Sequence, residues 1–356
     1  PCSDATTTRT LNVTNTFVTS GSNSNWSNTA CWGGGVVPPT SGDITISHDI
    51  TVDASTNTLG AVTVDASKTL TVATGQTITA SGTSDINGTL TIAGTGKYDA
   101  NGSFDATGGN VTFSGSGTLE LGGTVTSLGT FTAGTSTVSY DGASAQDIVN
   151  DLGSKGPYNN LDLDGGEEKN LTGNTTVNGV LSWSANVDME TNGHTLTIKQ
   201  SPTGYDNNRV ITGGSSSTVS VAYSSSSTNE CFIPVGIDGS VRDISITAAS
   251  ASAETYTVVY TPGSPGTINW NTTPTGVPIN SNIATGNTSA TAYVNNHYHY
   301  NITRNATAPH VDATLKLKFL GLSEPASNGD KHVMHWDGSE WDQLPSTGAS
   351  GYVTAL

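Results

Sequence analysis

Basic side chains are scarce. Twelve Lys and Arg face 29 Asp and Glu in 356 residues, a net charge of −17. No Lys/Arg cluster reverses this locally, so the chain repels nucleic-acid phosphates and anionic membrane surfaces. Cysteine is also scarce: Cys2, Cys31 and Cys231, with no C-x-x-C spacing. That excludes a zinc knuckle and a thioredoxin-like redox pair. No apolar run approaches the roughly 18 residues of a membrane-spanning helix. Charged residues make up 12% of the chain, about half the usual ~25%. Disorder by composition requires high charge and few β-branched residues. This chain is instead saturated with Thr, Val and Ile, which suit pleated surfaces. An all-β protein with many turns is expected.

The chain starts Pro-Cys-Ser, which a processed, exported protein explains. In an oxidising compartment a Cys2–Cys31 disulfide would pin the N-terminal segment. Cys231 is then odd; burial is the expected fate of a small apolar thiol, with pairing between chains as the alternative.

Residues 1–40 read as an entry segment. "TTTRTLNVTNTFVTS" alternates polar and apolar residues like a strand. Trp26 and Trp32 follow, a pair costly to expose. They are expected to cap the end of the core, with an aromatic sugar platform as the rival reading. Residues 41–200 are short strands between short turns, with period-two alternation throughout. "TLTVA" (69–73) recurs as "TLTIA" (89–93) and again within "HTLTI" (194–198). Leu70, Ile78 and Ile86 sit eight apart between the first two copies. Such self-similarity marks a parallel β-helix with rungs of about 20 residues. Leu70 and Leu90 then stack inside, while Thr69 and Thr71 stack outside on Thr89 and Thr91. "GTLEL" (117–121) comes late for that period, which implies rungs of unequal length. Residues 201–215 read as a linker and 216–356 as an antiparallel β-sandwich. A terminal hairpin is expected through Asp337-Gly338, flanked by Trp336 and Trp341.

In this order the chain carries Trp26, Trp32, Val37-Pro38, "GDITI" (42–46), "NGTLTIAGTG" (87–96), "GHTLTIKQ" (193–200), "CFIPVG" (231–236), "VRDISI" (241–246), "YNITR" (300–304) and "HWDGSEW" (335–341). The ordered set resembles large surface proteins of Bacteroidetes-type bacteria that leave by the type IX secretion route. The resemblance implies an extracellular, cell-surface location and an adhesive or structural class, and supplies no catalytic residues.

Chemistry-bearing clusters are few. His297 and His299 share one face of "NNHYHYNITRN" (295–305), the start of a metal site if a third ligand joins them. Asp162, Asp164 and Glu167 cluster around a Gly turn, as do Asp337 and Asp342. Oxygen-rich turns of this kind suit Ca²⁺, although neither fits the EF-hand pattern. No other cofactor motif is legible. Paired carboxylates with a basic partner, needed by polysaccharide-cleaving β-helices, are missing from 41–140, so an enzyme is not expected. Sequons such as Asn12, Asn87, Asn170 and Asn301 are about as frequent as abundant Ser and Thr make them.

The functional expectation is an extracellular structural or adhesive subunit that assembles head-to-tail with copies of itself. The strand-patterned N-terminus (Thr10, Leu11, Val13, Phe17, Val18) would add to a neighbour's sheet. A module for surface glycans is the alternative. Ice binding through Thr69/Thr71 over Thr89/Thr91 is a third, disfavoured by the irregular spacing.

Overall fold

The structure, a computed structural model, describes residues 16–20, 24–150, 157–214, 216, 218–225, 228–237, 240–248, 254–262, 298–305, 314–318, 334–336, 341–343, 346–349 and 352–355. The protein is all-β: a parallel β-solenoid followed by antiparallel, sandwich-like sheets. One 3₁₀ turn, Thr29–Cys31, is the only helical element among the described residues. None of their helices is long and apolar enough to cross a membrane. The chain divides into two compact units, Pro1–Gly134 and Thr135–Leu356.

In the first unit each coil has three sides. Leu70, Ile78 and Ile86 lie on successive strands, Thr69–Val72, Thr77–Ala80 and Ser84–Ile86, one per side. Each strand alternates buried and partly exposed residues, as period two requires. Leu70 pairs with Leu90 inside, and Thr69 and Thr71 pair with Thr89 and Thr91 outside. On that side the inner stack runs Ile50, Leu70, Leu90, Val111, Phe131, all essentially without solvent contact. Burying such side chains stabilises by roughly 1.5–3 kcal/mol each.

Rungs vary in length as expected: register steps run from 18 residues (Ile44 to Val62) to 22 (Val62 to Ser84) on one side of the first unit and reach 25 (Thr195 to Ser220) in the second, while the threonine side is nearly even. Thr51 lies against Thr71, Thr71 against Thr91, Thr91 against Thr112 and Thr112 against Thr132, steps of 20, 20, 21 and 20 residues. "GTLEL" comes late because its strand, Thr118–Leu121, belongs to a different side. It pairs with Lys97–Ala100, whose sequence does not resemble it.

Glycines turn the corner into the threonine strands. A Cβ on Gly88 would collide with the carbonyls of Asp65 and Lys68, and one on Gly109 with the carbonyl of Ile86. At this corner consecutive coils touch backbone to backbone. The N-terminal end is closed by Trp26 and Trp32, 3% and 2% exposed, their rings edge-to-face with centroids 4.7 Å apart. Trp32 Nε1 donates to Trp26 O at 3.0 Å, and Trp26 N donates to Thr51 O at 2.8 Å. The tryptophan segment thus lies on the first rung.

The second unit repeats the parallel scheme. Val138, Leu161 and Leu181 stack in register. Tyr140 and Tyr158 are buried with their hydroxyls 2.9 Å apart, and Tyr158 also donates to Val149 O. Residues 201–215, read above as a linker, contribute the strand Ile211–Thr212, which pairs with Met189–Glu190. Thr195–Ile198 pairs parallel with Val219–Ser225. Val219–Ser225 pairs antiparallel with Glu254–Pro262, and that strand with Tyr298–Asn305. Solenoid and antiparallel region therefore share one sheet. A second antiparallel sheet holds Glu230–Ile233, Ile244–Thr247, Thr314–Lys318, Tyr352–Ala355 and Ser346–Ala349. The strands flanking the expected terminal turn, Met334–Trp336 and Trp341–Gln343, pair antiparallel with Trp336 opposite Trp341.

Candidate functional site

In the second unit, the strands Lys169–Leu171, Met189–Glu190 and Ile211–Thr212 stack one on the next. Alternation sends Lys169, Met189 and Ile211 inward and leaves Asn170, Glu190 and Thr212 on the outer phase. Just before them, Glu168 and Asp188 open consecutive rungs, with Lys169 N donating to Asp188 O. A groove of about 550 Å³ forms over this surface. Glu167, Glu168, Asp188 and Glu190 bring four carboxylates to it, while Val219, Ile237, Tyr260 and Pro262 supply apolar lining from the antiparallel region.

The electrostatics are strained. Partial burial raises the Glu190 pKa, repulsion from Glu168 and Asp188 adds to the rise, and a hydrogen bond with Asn192 opposes it. Like charges on neighbouring strands destabilise a sheet. A ligand offering hydroxyl donors or positive charge to the carboxylates, and a ring face to the apolar residues, fits this lining.

Beneath the same turn lies a lysine in the solenoid interior. Lys169 has no solvent exposure. Its Nζ donates to Gly142 O at 2.9 Å and Gln146 Oε1 at 2.8 Å. Burial lowers its pKa, outweighing attraction from Asp141, Asp164 and Glu167. Gln146 and Lys169 are register partners on adjacent rungs, so the sheet itself holds the cation against its acceptor.

The acidic turn 161–170 does not converge on one point. Asp162 lies on an outer strand face between Ser139 and Ser182. It accepts hydroxyl hydrogen bonds from Ser139 (3.1 Å), Ser182 (2.6 Å) and Ser184 (2.9 Å). Asp164 accepts from Gly165 N at 2.7 Å and fixes the turn. Of the three, Glu167 alone reaches the groove. His297 and Asp337 lie outside the described residues. His299 and Asp342 sit in described strands, Tyr298–Asn305 and Trp341–Gln343, where these two residues are described by their backbone alone.

Cys31 is fully buried, and its Sγ donates to Asn25 O at 2.9 Å. Cys2, its expected partner, lies outside the described residues, as do Thr10, Leu11 and Val13. Phe17 and Val18 belong to the strand Thr16–Val18, which pairs with the chain's own Asp43–Ile46. The Phe17 ring lies against Gly42. Cys231 is buried, at 2% exposure.

Asp188, Glu190 and the interior Lys169 were not singled out from the sequence. The signal was available: at a rung step of 20, Glu168 falls on Asp188, and Lys169 shares the inward phase with Leu171. Comparison with family models, curated proteins and solved structures finds no match to this chain.

Proposed function

We propose that this protein is an extracellular structural and adhesive subunit of a cell-surface filament or layer. The observation carrying the reading is the register of the solenoid strands. Each rung is hydrogen-bonded along its length to the next and filled by a continuous apolar stack. Such a quasi-one-dimensional stack suits a load-bearing rod. The ordered motifs shared with Bacteroidetes-type surface proteins support the location and class. Thr16–Val18 is already used within the chain, so strand addition to another copy's sheet is assigned to the alternating segment before it, with Thr10, Leu11 and Val13.

Negative-stain microscopy of the full chain, beside a version lacking residues 1–15, tests this. Fibres or sheets from the full chain alone support the reading. Monodisperse particles from both, at high concentration, refute self-assembly.

The groove favours a second reading, adhesion to surface glycans. A glycan array probed with the full chain and with Glu190→Gln separates it from the first. Binding that weakens in the variant supports a glycan site, and an empty array removes it.

A further inference from the structure

One side of the first unit differs from the other two. Its strands are Ile50–Val52, Thr69–Val72, Thr89–Ile92, Asn110–Phe113 and Thr130–Thr132. Their outward residues form two columns in register: Thr51, Thr71, Thr91, Thr112, Thr132, and beside it Thr69, Thr89, Asn110, Thr130. Eight of the nine are threonine and none is charged. The second side instead carries Asp85 and Asp105 in register. The third carries Asp99 against Glu120, with Lys97 paired to Glu120. Two carboxylates, Asp49 and Asp53, flank the first strand, Asp49 accepting from Thr69 N at 2.9 Å; the four strands that follow carry no charged residue, a distinct surface on a chain of net charge −17.

We propose that this threonine side binds ice. Strand pairing spaces the columns' members about 4.8 Å apart, and alternate residues along a strand lie about 6.7 Å apart. Both repeats lie near those of water oxygens on the prism faces of hexagonal ice. Threonine is stiff at χ1, so each residue offers a hydroxyl and a methyl in fixed positions and loses little side-chain freedom on docking. Strand register keeps this array in phase across all five strands, at nearly even steps of 20, 20, 21 and 20 residues, the requirement that irregular spacing would fail.

A repeated surface is used in full only by a repeating ligand. Ice is one, and crystalline polysaccharide is the other. Sugar surfaces are bound largely through aromatic platforms, and this side presents none: Phe113 and Phe131 both point inward. The absence of charge points the same way, since ionised groups hold their hydration strongly and resist sharing it with a lattice. This inference stands apart from the filament reading, because it concerns one solenoid face and holds for a monomer.

The test is the uptake of fluorescently labelled full chain into a slowly growing ice hemisphere, with serum albumin as the excluded control. Enrichment in the ice and faceting of single crystals are expected. Thr91→Tyr, at the centre of the array, should abolish both, while Thr63→Lys on another side leaves them unchanged. Circular dichroism establishes that each variant is folded. Thr91→Val, which keeps the shape and removes the hydroxyl, should lower uptake even if the tyrosine variant fails to fold. Exclusion of the wild-type chain overturns the proposal. Equal loss in Thr63→Lys overturns it too, as does uptake indifferent to folded Thr91 variants. Pelleting with cellulose or chitin in place of ice, or a dimer that Thr91→Tyr dissociates, reassigns the face.

Discussion

Replacing Gly109 by alanine should be among the most damaging single-methyl additions available in the first unit. The new Cβ would fall inside contact distance of the Ile86 carbonyl oxygen and 2.8 Å from that of Gly88. Both are backbone atoms of the preceding coil and cannot swing aside like a side chain. Overpacking of this kind costs about 1–3 kcal/mol. The corner also carries two ladder hydrogen bonds, Asn110 N to Gly88 O at 2.8 Å and Thr130 N to Gly109 O at 2.9 Å. Weakening each adds about 1 kcal/mol, for a total of about 3–5 kcal/mol. Gly75 is the control. Its φ of +72° is left-handed, but no atom lies within 4 Å of the built Cβ. Alanine there costs about 1–2 kcal/mol in conformation, part of it recovered from a less flexible unfolded chain. Urea unfolding followed by circular dichroism measures both. Should Gly109→Ala fall within about 1 kcal/mol of Gly75→Ala, the claim that coils meet backbone to backbone at this corner is wrong.

Two further outcomes are expected. Glu190 holds its proton to higher pH in the folded protein than in the unfolded chain, so its contribution to stability falls as pH rises above the ordinary carboxylate range. Glu190→Gln should therefore stabilise near neutral pH by about 0.5–1 kcal/mol and do nothing once the carboxylate is protonated, as thermal melts at the two pH values will show; a destabilised variant at neutral pH contradicts the repulsion. Cys231 has its thiol pKa pushed up to about 12, chiefly by burial. It should resist alkylation in the native protein at mildly alkaline pH and react in denaturant, as peptide mapping reads out, and rapid native labelling would show that the site opens.

Much of the first unit was legible because the period-two and twenty-residue signals reinforce each other there. The recurrence of Leu70 at Leu90 predicted the inner stack, and the eight-residue spacing to Ile78 and Ile86 predicted the sides of the coil. The near-even step of the threonine side was harder to read. Structural equivalence in a solenoid follows position in the coil rather than sequence likeness, and "KYDA" (97–100) occupies a place whose neighbour reads "TLEL" (118–121). The groove was obscured for a related reason. Its carboxylates come from separate rungs, and its apolar lining from strands beyond residue 218. The turn 161–170 concentrated acidic residues in sequence while the fold dispersed them, Asp162 to a serine ladder, Asp164 to a turn, and Glu167 and Glu168 to the groove. Lys169 stands among acids in the sequence; only the phase of its strand reveals that it points inward.

The tryptophan lid has a consequence for how the chain comes into being. It closes the edge of the first coil, and every later coil of the first unit finds its template in the one about twenty residues before it. An emerging chain needs no distant partner to begin: Trp26 and Trp32 can settle as soon as the strand Ile50–Val52 is available. Each completed coil then offers its edge to the residues still to come. The unit is built to be laid down in one direction, like courses of brick, with the foundation sealed first.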